Sequence, residues 1–164
     1  MIKNKLSIAL IACFGLATMT SCDDGAVFDE VQSTGNQWAR EDVKSFSYDA
    51  KDTLGYYNLF VNLRADHTYP YSNVFIIVKT SQPNGKAFVD TLQYEMADPT
   101  GAMLGNGLTD VKESALWFKS KHRFKYAGTY KFDIEHAVRR ADAEIGDQVL
   151  EGVYDVGLRI EKAK

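Results

Sequence analysis

Between Tyr57 and Arg64 the chain alternates, with Tyr57, Leu59, Val61 and Leu63 on one side and Asn58, Phe60, Asn62 and Arg64 on the other. An extended chain sends successive side chains to opposite faces, so this segment predicts a strand with one buried face. The same repeat returns in Phe88–Met96, where Phe88, Leu92, Tyr94 and Met96 alternate with Val89, Thr91, Gln93 and Glu95. It returns again with Tyr130, Phe132 and Ile134, and with Tyr154, Val156, Leu158 and Ile160. Val74–Val78 is apolar on both sides and predicts a central strand, while Ser45–Tyr48 and Leu116–Phe118 are weaker candidates. Asn84-Gly85 within Gln82–Gly85 is the strongest short hairpin signal, because both residues accept positive φ. Asp98–Gly101 and Gly105–Gly107 mark further turns. Gly128 ahead of Tyr130 suggests a strand entry at which a tyrosine hydroxyl bonds back to the backbone. The one helix candidate is His136–Ile145, of about two turns. Seven or eight strands with frequent turns predict an all-β fold, an antiparallel β-sandwich of jelly-roll-like kind. Leu59, Val61, Ile76, Phe132, Val156 and Leu158 are its expected core, on facing sheets.

The N-terminus breaks this pattern. Lys3 and Lys5 precede an apolar run from Leu6 to Met19, too short to span a bilayer comfortably and followed by small residues. This describes a signal peptide over residues 1–21. Met19-Thr20-Ser21-Cys22 resembles a loose lipobox, in which Cys22 is diacylated and becomes the first mature residue. Leu10-Ile11-Ala12-Cys13 fits the same pattern but would leave an apolar region of about six residues, below the usual seven. The expected organisation is therefore a signal peptide (1–21), an acylated tether (22–36) and one β-sandwich domain (37–164). Residues 23–35 are acidic and small apart from Val27, Phe28 and Val31, and read as a tether or an edge segment.

Charge and composition exclude more than they select. With 19 Lys+Arg against 22 Asp+Glu the net charge is −3 over 164 residues. Removing Lys3 and Lys5 with the leader leaves −5, which argues against a nucleic-acid partner. Both cysteines lie in the first 22 residues, so the body has no thiol nucleophile, disulfide or Cys zinc site.

Candidate chemistry is sparse. There is no G-x-S-x-G, H-E-x-x-H or EF-hand loop, and His67, His122 and His136 are widely spaced. Asp66 with His67 has the composition of an acid–base or metal pair, against a simple surface loop before Tyr69-Pro70-Tyr71. His136 with Arg139 and Arg140 could bind an anion, against a solvated helix turn. Gly101, Gly105 and Gly107 lack the Lys-Ser/Thr and the helix of a phosphate loop. No catalytic residue, metal site or cofactor is expected beyond the covalent lipid on Cys22. Function is expected in a contact surface, with Arg64, Asp66, His67, Tyr69 and Tyr71 as one candidate patch and His136, Arg139 and Arg140 as another, since Arg and Tyr dominate protein contacts.

The chain resembles the gliding-motility lipoprotein GldH family. The resemblance rests on Phe28-Asp29-Glu30, Trp38, the Tyr57–Arg64 strand, Tyr69-x-Tyr71-Ser72-Asn73-Val74-Phe75, Pro83-Asn84-Gly85 and Asp90-Thr91-Leu92-x-Tyr94-Glu95-Met96. Leu104-Gly105, Gly128-Thr129-Tyr130-x-Phe132, His136-Ala137-x-Arg139 and the Leu150–Glu161 segment agree as well. It implies a non-enzymatic lipoprotein of the Gram-negative cell envelope, at the outer membrane in preference to the inner. It also implies partners in the gliding machinery and in the protein-secretion system coupled to it. Members occur in bacteria that do not glide. A cell-surface glycan-binding sandwich is the alternative. An aromatic platform flanked by Asn, Asp or Arg would favour it, and a flat apolar patch would favour a protein partner.

Overall fold

The computed structural model describes residues 25–138 and 146–164. Ten strands are present: β1 (Ala26–Ser33), β2 (Gln37–Ala39), β3 (Lys44–Ala50), β4 (Tyr57–Ala65), β5 (Asn73–Ser81), β6 (Ala87–Glu95), β7 (Lys112–His122), β8 (Gly128–His136), β9 (Val149–Glu151) and β10 (Val153–Lys162). One sheet has the order β1-β10-β4-β7, a second β3-β8-β5-β6, and β2 pairs β9 in a short third ladder. Every ladder between these strands is antiparallel. The expected sandwich is therefore present. Leu59, Val61, Val156 and Leu158 enter its core from the first sheet and Ile76 and Phe132 from the second, each at most 1% exposed.

Period-two sequence becomes one-sided burial in β4 and β8, whose inward residues are buried while the outward ones are mostly half-exposed or exposed. β5 lies between β8 and β6, which is why its outward Phe75 and Ile77 are only partly exposed. The Asn84-Gly85 hairpin joins β5 to β6, with Gly85 at φ 80° and the Gln82 amide donating to the Lys86 carbonyl at 2.8 Å. The Tyr130 hydroxyl accepts from the Tyr126 amide at 3.1 Å, the backbone-directed bond expected at the Gly128 entry.

Three expectations are corrected. The stretch expected as a tether ahead of the domain contains an edge strand of the first sheet, Ala26–Ser33, paired along β10. Only Phe28 packs partly into the core, against Tyr48 at 5.8 Å, so the strand is held by its ladder and one ring. At the start of β10 a bulge between Val153 and Asp155 turns Val153 inward and leaves Tyr154 half-exposed. This reverses the face expected for Tyr154, because an inserted residue inverts the alternation that precedes it. His136 does not start a helix: it ends β8, buried among the strands, and Ala137 and Val138 continue without helical structure. The rest of that helix candidate, 139–145, lies outside the described residues.

β1 and β2 on one side, and β9 and β10 on the other, form one bent ribbon. Gly35 and Asn36 at positive φ, opposite Gly152 at φ 76°, let the ladder fold over one end of the sandwich. The bend carries Trp38 and Leu150 into full burial. Trp38 is fixed there by Nε1 donating to the Asp42 carbonyl at 2.9 Å.

Candidate functional site

The sandwich has two different ends. The far end is where β4 turns into β5 and the ribbon folds over; the near end is where β1 begins and β7 finishes. Six of the expected contact residues, Arg64, Asp66, His67, Tyr69, Tyr71 and His136, come together at the far end. Cys22, Arg139 and Arg140 lie outside the described residues.

The loop from Asp66 to Tyr71 is built around one carboxylate. Asp66 accepts from the Thr68 amide at 2.9 Å and hydroxyl at 2.5 Å, and from the Tyr154 hydroxyl at 3.0 Å. Burial raises its pKa, but these donors outweigh burial and hold it below the usual range. Tyr69 is buried, with its hydroxyl on the Asn73 carbonyl at 2.8 Å, and burial pushes its pKa up. Tyr71 packs edge-on against Tyr69 at 5.9 Å and donates to Asp147. Asp66 and Tyr69 therefore serve the fold and do not form a contact surface. Arg64, bridged to Asp155 at 2.5 Å, and His67 remain exposed, and Tyr71 is half-buried.

His136 is likewise no surface cation. It is fully buried, edge-on to Trp38 at 5.1 Å, with Nε2 3.1 Å from the Trp38 carbonyl. A carbonyl can only accept, so Nε2 carries the proton. Nδ1 has no partner among the described residues. Burial drives the pKa down to about 4, although the Trp38 bond opposes it. The unfolded chain protonates this residue near the ordinary 6.5 and the folded one only near 4. The unfolded state therefore binds more protons in between, and stability falls as pH drops through that window. From about pH 7.5 to about pH 5 the loss from this residue is about 2 kcal/mol. His136→Gln keeps a donor for the Trp38 carbonyl and does not titrate. It is expected to flatten most of the slope in urea midpoints over that range, leaving a remainder from His122, lowered chiefly by burial. Equal slopes in both proteins would refute the assignment.

The near end holds a feature not anticipated from the sequence. β6 and β7 are the outer strands of the two sheets on the same side, and between them opens a cleft of about 560 Å³. Lys86, Lys119, Lys121, Arg123 and Lys125 line it, with Asp90 as the acidic member of its lining. Leu59, Phe118 and Phe132 form its apolar inner wall, and Phe88 and Tyr126 are exposed at it. Two register shifts in the β4–β7 ladder set Lys119 opposite the inward Leu59. Bulges re-aim side chains in this way. Lys119 then reaches Asp90 of β6 at 2.8 Å and lies 5.0 Å from the Phe118 ring centroid. A second strap crosses where the Tyr94 hydroxyl donates to the Trp117 carbonyl. Arg123 is fixed by Nε donating to the Thr53 carbonyl at 2.7 Å. The sequence signal was a period-two row of cations, Lys119, Lys121, Arg123 and Lys125. By contrast, Glu41, Glu95, Asp110, Glu113 and Glu151 are exposed around the far end.

On the outer face of the first sheet, Phe60 packs against Trp117 at 4.5 Å, and Trp117 is 54% exposed. Asn58 lies before Phe60, and Asn62 and Arg64 after it, along the same face of β4, with Asn62 itself buried. No group of three or more His, Cys, Asp or Glu placed to hold a metal is found among the described residues. No helix among them is long and apolar enough to cross a membrane.

Comparison with known proteins matches residues 26–160 to the family model described as GldH lipoprotein. The chain is 45% identical over 161 residues to the gliding motility lipoprotein GldH of Flavobacterium johnsoniae, covering 98% of each chain. It is 42% identical to a gliding motility lipoprotein GldH homolog of Christiangramia forsetii, covering 93% of this chain and 94% of that one. Among solved structures, the VP2 subviral particle of infectious bursal disease virus aligns at TM-score 0.44 and 11% identity, over 85% of this chain and 33% of that one.

Proposed function

Because this chain belongs to the GldH lipoprotein family, we propose that it serves gliding motility and its coupled secretion system as a lipid-anchored, non-enzymatic component. The observation that carries this reading is the extent of the match. Two relatives named for gliding motility align over nearly the whole chain, so the shared unit is the folded domain together with most of the chain ahead of it. The anchor is the acyl group on Cys22, in the outer membrane. The role of the domain is contact: Asp52, Asp66 and Asp98 spend their carboxylates on turns, and His136 is buried in the core with Nε2 on the Trp38 carbonyl. Arg64, His67 and Tyr71 offer the far end to a partner. The glycan-binding reading has one observation in its favour, the Phe60–Trp117 pair flanked by Asn58, Asn62 and Arg64.

Cys22→Ala tests the anchor. A chain without two or more acyl groups has only marginal membrane affinity, so the variant is expected to leave the detergent phase or to accumulate as uncut precursor, and cells carrying it to lose gliding. Unchanged detergent partitioning would sink the anchor. Crosslinking of the wild-type protein in cells should recover envelope proteins of the motility machinery. Recovery of polysaccharide in their place would favour the glycan reading.

A further inference from the structure

The anchor and the basic cleft lie at the same end of the molecule. β1 begins at Ala26, opposite Glu161 near the end of β10; Tyr57 at the start of β4 pairs both Lys162 and His122. These residues and the β5–β6 hairpin with its Lys86 mark the near end in both sheets. From Cys22 to Ala26 is four residues, a reach of at most about 14 Å even when fully extended. An acyl group on Cys22 therefore keeps Ala26 within that distance of the lipid, and the cleft, three strands across the sheet at the same end, reaches the surface when the domain stands on this end.

We propose that the near end of the sandwich docks on the anionic headgroups of the leaflet that holds the anchor, with the cleft cations seated among lipid phosphates. This rests on the acylation of Cys22. Lys86, Lys121 and Lys125 are exposed, in a chain whose mature net charge is negative. Basic clusters held close to a membrane are attracted to its anionic lipids, so the acyl chains supply the attachment and the cations the orientation. Exposed Tyr126, Phe88 and Tyr56 at the same end supply rings of the kind that settle at headgroup depth. Asp23 and Asp24 in the linker, and exposed Asp49 and Asp52 at the end of β3, carry the opposing sign, so the attraction comes from the cleft. Docking fixes orientation: the far end, with Arg64 and His67, then points away from the membrane toward partners.

The test uses the acylated full chain in vesicles of phosphatidylcholine with one third phosphatidylglycerol. The mature body has no other thiol, so Ser120→Cys at the near end and His67→Cys at the far end can each carry a single fluorescent label. The Ser120 label is expected to be shielded from aqueous iodide and the His67 label to be open. The shielding should be lost in pure phosphatidylcholine, at high salt, and when Lys86, Lys121 and Lys125 are all changed to Glu, a variant whose melting should be unchanged because these side chains are exposed. Vesicle-bound protein with equal access at both ends overturns the proposal, as does shielding that survives the triple change. Tight binding of polyglutamate without shielding on vesicles would assign the cleft to an acidic protein segment, and also overturns it. Absence of vesicle association altogether would instead refute acylation, and with it the premise.

Discussion

Gly152→Ala is expected to destabilise the domain by about 2–5 kcal/mol, a large share of the roughly 5–15 kcal/mol typical of a domain. The residue sits at φ 76°, where a side chain costs about 1–2 kcal/mol. Space is the second problem. A Cβ there would lie 2.4 Å from the Tyr69 amide nitrogen, 2.8 Å from Thr68 Oγ1 and 2.9 Å from Asp66 Oδ1. All three atoms belong to the hydrogen-bonded loop around Asp66, so relief must break polar contacts worth about 1–3 kcal/mol when left unmade. Gly85→Ala is the internal control. It has a similar φ of 80° and nothing within 4 Å of the added carbon, so only the conformational part should appear. Urea denaturation of both variants gives the comparison, and equal losses would show that the close approach is harmless.

Leu158→Ala is expected to cost about 2–5 kcal/mol. Leu158 lies mid-strand in β10, paired with Glu30 of β1 and Val61 of β4, and is fully buried. Neighbouring strands on both sides and a second sheet across the core leave the cavity little freedom to collapse. Val31→Ala, on the exposed outer face of β1, should fall within about 0.5 kcal/mol of wild type. A thermal melt little changed by Leu158→Ala would mean that the inward face of β10 is misassigned.

The sandwich was legible where a strand packs one face and leaves the other wet. Leu59, Val61, Phe132, Val156 and Leu158 announced themselves by alternation, and Asn84-Gly85 announced its hairpin. β1 was obscure because an edge strand needs few apolar residues: its ladder to β10 holds it, and Phe28 alone packs partly inward. β2 and β9, three residues each, are too short for any period to show. β7 was seen only at Leu116–Phe118 because its remaining residues, on the outer strand of a sheet, are largely polar. The candidate contact residues were found as a cluster, yet Asp66, Tyr69 and His136 proved structural, since exposure depends on what folds over them. The cleft escaped because Lys86 and Asp90 join the Lys119–Lys125 row only after two sheets have stacked.

The pairing of β1 with β10 also decides how the domain bears load. β1 runs from the near end to the far end, with seven registered pairs between Ala26↔Glu161 and Ser33↔Asp155. With the proposed anchor on Cys22 and the proposed partner at the far end, a pull between them runs along this strand, parallel to its length. Such a force shears the ladder, so the hydrogen bonds resist together, whereas a sideways pull would peel them one after another. A short edge strand with a single partly buried ring is thus mechanically stronger along its own length than its sparse packing suggests.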